Sequence, residues 1–299
     1  ALSSAASDVY KRQIVAFADK YLKEDNYAVV YKKQGKDPNE KKMTKPEITP
    51  IVSNRDVASP FLTSIQENAV KPIEPVFLDF KKDMSQLTAK SDIPVLYKQN
   101  TTNDLFQLIY VFDMGNNNDK ALGTAFDYLE YLGTSDMTPE ELKSEFYRLA
   151  CTFYVSPGNE RTYVVLSGLN ENMPAAMQLF EKLLADAQVN KEAYDNLVGD
   201  ILKARADAKL NQGQNFSRLM NYAMYGPKSP ATNLLTEAEL ASMNPQELVD
   251  RIHNQNNYKH RILYYGPSSS KDLLATIDQY HQVPATLKDI PAGNEFSYL

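Results

Sequence analysis

From residue 93 onward, apolar and polar positions along the chain fall into two periods. Residues 94–97 and 105–112 are short apolar runs with the Val, Tyr and Phe content of strands, separated by a polar turn at Asn100 to Asn103, which predicts a hairpin or neighbouring strands. Residues 119–132 then place Leu122, Ala125, Phe126, Leu129 and Leu132 on one helical stripe that Gly133 ends. Thr138-Pro139-Glu140-Glu141 opens the next helix, with Thr138 as cap, Pro139 in the first turn and Glu141 closing a capping box. Residues 153–156 and 162–167 read as two strands around the turn Pro157-Gly158-Asn159. Two helices follow over 173–187 and 191–210, the second with Gly199 as its one breaker. Thr236 with Glu239, and Asn244-Pro245 with Glu247, start two more; a last strand spans 261–265 and a closing helix 271–280. Strands in pairs, followed by runs of helices, are not the strict alternation of a doubly wound fold. The order predicts an α+β fold, a two-layer sandwich of helices on a mostly antiparallel sheet.

The N-terminal third is patterned differently. Residues 14–22 space Val15, Ala18 and Leu22 as a helix, and 27–31 are rich in Val and Tyr, a helix feeding a strand. Between 34 and 60 the composition turns to Lys, Pro, Asn and Glu, with Pro38, Pro46, Pro50 and Pro60 opposing regular structure, so this stretch reads as a linker. Its lysines, Lys36, Lys41, Lys42 and Lys45, belong to a solvated connector. At the extreme N-terminus, Ser3 to Gln13, SSAASDVYKRQ, looks like the in-frame translation of a sequencing adapter and is expected to carry no fold. At the other end, Ile290-Pro291-Ala292-Gly293 reads as a link, and 294–299 have no helical period.

Composition narrows the chemistry. With 43% apolar and 23% charged residues among 299, the chain can bury a core of domain size. Its longest purely apolar runs, such as 108–112, are far below the ~20 residues of a membrane span. A formal charge of -6 has the wrong sign for a surface that grips phosphate backbones, which argues against nucleic acid as a partner. The single cysteine, Cys151, is placed as a small core residue. Three histidines, His253, His260 and His281, all fall in the last fifth of the chain, and nothing in the sequence pairs them with one another or with a nucleophile. His253 reads as a helix-face residue and His260 as a residue at the start of the last strand, with no ligand set for a metal. Phosphate-loop, dinucleotide and nucleophile-elbow motifs are absent.

The ordered run ALGTAFDYLEYLGT, followed by TPEELKSEFYRLACTFYVSPGNERTYVVLSGLNENMPAAMQLFEKLLADAQVNKEAY, resembles the insulinase/pitrilysin family of zinc metallopeptidases, the inverted zincins. The resemblance implies this organisation: 1–13 adapter artefact, 14–34 the end of a preceding family domain, 35–86 linker, 87–283 an inactive insulinase-like domain, and 284–299 the start of a link to a following domain. In a catalytic domain of that family the helix before the Gly-Thr turn carries HxxEH, two zinc-binding histidines and the glutamate that activates water, and a distal glutamate completes the site. Here those three places hold Asp127, Glu130 and Tyr131 when aligned on the helix, or Thr124, Asp127 and Tyr128 when aligned on Gly133-Thr134. Neither register contains a histidine, and from 193 to 236 there is no glutamate, with Asp195, Asp200 and Asp207 the only nearby helical carboxylates. The resemblance therefore implies a non-catalytic half with no cofactor of its own and no catalytic residue. Asp127, Glu130 and Tyr131 form a degenerate pseudo-site, and zinc is expected in a separate catalytic half of the same polypeptide. Peptide substrates, a peptide-enclosing chamber and a bacterial periplasmic or envelope location follow from the same resemblance. The alternative it leaves is a purely structural homologue without peptidase activity, like core subunits of respiratory complexes.

Overall fold

The computed structural model describes residues 2–32, 35, 41, 43–50 and 57–299, in two compact units, Ala1–Ile73 and Glu74–Leu299. In the first unit, helix α1 (Leu2–Tyr21) runs through the segment expected to carry no fold, in keeping with a stretch that has neither Gly nor Pro. The strand expected over 27–31 does not form: Val30 and Tyr31 are exposed and have no ladder partner, and β-propensity without a neighbouring strand makes no sheet. Pro60 begins a helix rather than opposing one: in α2 (Pro60–Gln66) it occupies the first turn behind the cap Ser59, whose hydroxyl accepts from Leu62 N at 3.2 Å. Of the linker residues named above, Lys36, Pro38 and Lys42 lie outside the described residues.

The second unit holds the sheet. After the short α3 (Phe80–Asp83) come β1 (Ser85–Ala89), β2 (Ile93–Gln99) and β3 (Leu105–Phe112), then α4 (Leu122–Leu129) and α5 (Pro139–Arg148). β4 (Cys151–Pro157) and β5 (Thr162–Leu169) form a hairpin, followed by α6 (Met173–Asp186), α7 (Lys191–Ala208), α8 (Gln212–Tyr225), α9 (Glu237–Ser242) and α10 (Pro245–Asn254). β6 (Arg261–Gly266) and α11 (Ser270–Tyr280) close the unit. The six strands are ordered β1-β2-β6-β3-β5-β4. Every pairing is antiparallel except β2 with β6, so the mostly antiparallel α+β sheet is as expected. The expected adjacency of β2 and β3 is not found, because β6 returns from the far end of the chain and inserts between them. The predicted capping boxes form: Glu141 N donates to Thr138 Oγ1 at 3.2 Å while Thr138 N donates to Glu141 Oε2 at 2.8 Å, and Thr236 and Glu239 repeat the arrangement.

Strand register sorts side chains into rows. Val155, Val164, Tyr110, Ile262 and Val95 lie in one row on the inner face, and Phe153, Leu166, Leu108, Tyr264 and Tyr97 in the next. On these rows sit the buried stripes of α4, α6 and α11, with α10 packed against α4 and α6. Leu122, Phe126 and Leu129 are buried as predicted, although α4 is shorter than its pattern and has α10 and β4, not β3 and β5, as its main neighbours. Cys151 is a buried core thiol, its pKa raised by burial. Helix α8, which the pattern missed, buries none of its residues.

Candidate functional site

Asp127, Glu130 and Tyr131, expected from the resemblance to form a pseudo-site, sit on and just beyond α4. Asp127 and Glu130, one turn apart, and Tyr131 are all exposed. Desolvation, then the neighbouring Glu130 charge, raises the pKa of Asp127. Glu130 and Tyr131 line a pocket of about 340 Å³ shared with Lys143 of α5 and with Glu192, Asn196 and Asp200 of α7. Asp195 points elsewhere, paired with Lys191 at 2.7 Å.

What joins α4 to α7 is a tyrosine. Tyr128 is fully buried, its hydroxyl donating to Asn190 O at 2.6 Å and accepting from Asn190 N at 2.8 Å. Asn190 caps α7 by accepting from Ala193 N at 3.0 Å, so one phenol ties the end of α4 to the start of α7. The Tyr194 ring meets Tyr128 edge-on at 5.8 Å, and its hydroxyl donates to Leu240 O at 2.7 Å. A protein zinc site takes imidazole or thiolate ligands, with carboxylates in a minority. The donors gathered here are carboxylates, a phenol and an amide, which do not fit that ion. Among the described residues no group of three or more His, Cys, Asp or Glu could hold a metal.

The histidines, which the sequence left unconnected, are where the structure concentrates polarity. Glu181 of α6 and His281 at the C-terminus of α11 are fully buried, and His260 ahead of β6 nearly so. Glu181 Oε1 lies 2.6 Å from His281 Nδ1 and accepts from the Tyr110 hydroxyl at 2.9 Å. Its Oε2 accepts from Asn256 Nδ2 at 2.9 Å and from Gln282 N at 3.1 Å. His281 Nε2 faces His260 Nε2 at 2.8 Å, and His260 Nδ1 lies 2.7 Å from Tyr258 O. Two imidazole nitrogens that close leave no space for an ion between them, since zinc needs about 2.0 Å to each. Burial, then the charge of His281, lowers the His260 pKa to about 4. Burial and the adjacent carboxylate drive Tyr110 well above the usual phenol range. His253, on the face of α10 as predicted, joins a different contact, Nε2 to Ala187 O at 3.1 Å, and with Lys90, Glu181 and His281 lines a cavity of about 460 Å³.

A signal for this cluster exists in the sequence. Glu181 follows Met177 by four and precedes Leu184 by three, placing a carboxylate on the apolar stripe of α6, where it must find donors. Its partners come from residues 71 to 101 positions away, which periodicity cannot foresee.

No protein-family profile and no curated protein matches the chain. Solved structures do. The periplasmic protease PqqL from Escherichia coli superposes with a TM-score of 0.63 at 14% identity over 81% of this chain and 30% of its own. The ferredoxin protease FusC, solved with Arabidopsis ferredoxin, gives 0.62 at 11% over 78% of this chain and 27% of its own. A peptidase M16 inactive domain from Pseudomonas fluorescens gives 0.60 at 16% over 72% and 54%. The chain thus spans about a third or less of the two proteases and about half of the inactive domain. The α+β sandwich described here is the fold of M16-type peptidases, including that of a domain described as inactive.

Proposed function

We propose that this chain is the non-catalytic half of a zinc metalloendopeptidase of the insulinase/pitrilysin type, forming one wall of a peptide-enclosing chamber. The observation that carries the reading is the α4–α7 junction, where a domain with the M16 fold is tied together by Tyr128 and offers exposed Asp127 and Glu130 in place of imidazoles. Zinc, and the water it polarises, belong in this reading to a catalytic half in the same polypeptide. The sheet face away from the helices suits a wall: Tyr154, Val165, Ile109, Leu263 and Leu96 form one row across it, with the exposed Tyr163 and Tyr265 in the flanking rows. Broad tyrosine surface of this kind holds peptides at small entropic cost. The likeness to a periplasmic protease supports placing the protein in a bacterial envelope.

Peptide hydrolysis tests the reading. The chain alone is expected to cleave nothing, and mixing it with a catalytic half bearing HxxEH should restore cleavage that a chelator abolishes. Asp127→Ala and Glu130→Ala should change the restored rate by less than about tenfold, since neither touches the reacting bond. Chelator-resistant cleavage by the chain alone would overturn the assignment.

A further inference from the structure

The contacts of the buried cluster fix how many protons it holds. Three gaps separate its members in a line: Tyr258 O to His260 Nδ1 at 2.7 Å, His260 Nε2 to His281 Nε2 at 2.8 Å, and His281 Nδ1 to Glu181 Oε1 at 2.6 Å. A carbonyl only accepts, so the first gap takes its proton from His260 Nδ1. Each remaining gap needs one proton, because two lone pairs or two N–H groups cannot face each other at that separation. Wherever the shared protons sit, the line holds three and is neutral overall. A fourth proton has no gap to occupy.

The same residues anchor the segment after α11. Gln282 N donates to Glu181 directly. Further on, Lys288 N donates to Asn257 O at 2.8 Å and Lys259 N to Lys288 O at 2.9 Å, on either side of Tyr258, whose carbonyl ends the proton line. Beyond that point the chain is held by Asn118 Nδ2 to Pro291 O at 2.8 Å, Asn294 N to Asn117 O at 2.7 Å and Leu299 N to Met224 O at 2.9 Å, forming a strap without helix or strand of its own.

We propose that this cluster is an acid-released latch: uptake of a fourth proton at His260 forces the histidine pair apart and frees the strap, residues 282–299, at Gln282 and Lys288, leaving Ser91 Oγ to Pro284 O at 2.7 Å as the contact between them. The groups facing the pair are Tyr110 from β3, Glu181 from α6, Asn256 after α10, and, across the 460 Å³ cavity, His253 and Lys90. Glu181 is the one acid among them, and its four contacts are already filled. Glu181 and His281 line that cavity although both are fully buried. The inference stands apart from the chamber reading and holds whatever the domain's role.

Its size follows from linkage. His260 titrates near 4 when latched and near its ordinary 6.5 when released, so the opening equilibrium rises about twentyfold from pH 7 to pH 5 and about a hundredfold by pH 4. Amide hydrogen exchange of the full chain, corrected for intrinsic rates, reads this directly. Exchange of the Gln282 and Lys288 amides, the two in this stretch that donate to the rest of the fold, should accelerate about twentyfold between pH 7 and pH 5 while β3 and β5 keep their protection. In His260→Gln, which cannot take up the proton, the acceleration should fall below about threefold. Strap exchange that ignores pH over this range, or that accelerates equally in His260→Gln, overturns the latch. Imidazole nitrogen NMR of the unaltered chain needs no variant: one proton per gap at pH 7 is expected, and two doubly protonated rings at that pH would overturn the proposal.

Discussion

Replacing Glu181 tests the proton inventory through stability, because two substitutions of similar size should differ sharply. In Glu181→Gln the amide can turn its NH2 toward His281 Nδ1 and the Tyr110 oxygen, while its carbonyl keeps the donors Asn256 Nδ2 and Gln282 N. His281 then sheds a proton and accepts, and every gap still holds one. The loss is the charge assistance, partly offset because no ion pair is buried any longer, so the cost should be about 1–2 kcal/mol. Glu181→Leu instead strands four groups, the donors Tyr110 OH, Asn256 Nδ2 and Gln282 N and the ring nitrogen His281 Nδ1, each worth about 1–3 kcal/mol when buried without a partner. Water from the adjacent cavity can reach some of them, which places the expected cost near 4 kcal/mol rather than at the upper sum. Urea unfolding at pH 7, with midpoint and slope fitted separately, measures both. A leucine variant within about 1 kcal/mol of the unaltered protein, or a glutamine variant as damaged as the leucine one, would show that the cluster does not hold its protons as described.

Three further outcomes follow from the packing and the charges. Phe126→Ala removes an aromatic ring buried between α4 and the sheet layer and should cost about 3–5 kcal/mol in the same assay; under about 1 kcal/mol would place the stripe at the surface. Gly115→Ala puts a methyl 2.4 Å from Gly158 O and 2.5 Å from Asn159 O, both backbone atoms in the turn that Asn116 and Asn117 donate to, and should cost about 1–3 kcal/mol, measured as a lowered melting temperature. For pH, His260 is depressed in the folded state, so the unfolded chain binds more protons between about 4 and 6.5; this group's stability is complete above 6.5, falls as pH drops through the window, and changes no further below about 4. The span corresponds to about 3 kcal/mol, to be read as the difference between the unaltered protein and His260→Gln across a pH series.

The elements most legible in the sequence are those whose ends are marked by side chains acting locally. Thr138 with Glu141 and Thr236 with Glu239 close their capping boxes within one turn, so three residues of sequence contain the whole interaction. Strand adjacency is different: 105–112 and 94–97 each read as strands, the latter shorter than β2, but β6 between them is over 140 residues further along the chain than β3, a separation that no local pattern reports. Helix α8 was missed because its stripe of Phe216, Leu219 and Met220 is exposed and buries nothing, so packing gave no second reason to read 212–225 as a helix. The candidate site divides the same way. That HxxEH is absent is a matter of residue identity at fixed spacing, read at once from Asp127, Glu130 and Tyr131 in the places the resemblance gives it, whereas the tie that Tyr128 makes to Asn190 spans 62 positions and needed coordinates.

The histidines show why identity at a spacing is a weak guide to where a fold invests its polar chemistry. His253, His260 and His281 lie on three different elements, and the two that meet are joined end to end through Nε2, an arrangement that uses both nitrogens of each ring for internal hydrogen bonds and leaves none for a ligand. Their value to the protein is then positional: they bring the ends of α11 and α10 onto α6 and β3 through one carboxylate. Within the second unit, the surface open to a partner includes carboxylates and lysines around α4, α5 and α7 and the tyrosine-bearing sheet face. Under the reading proposed above, the base and the metal belong to the catalytic half, and the contribution of this domain should appear in KM and in the length of peptide accepted before it appears in kcat.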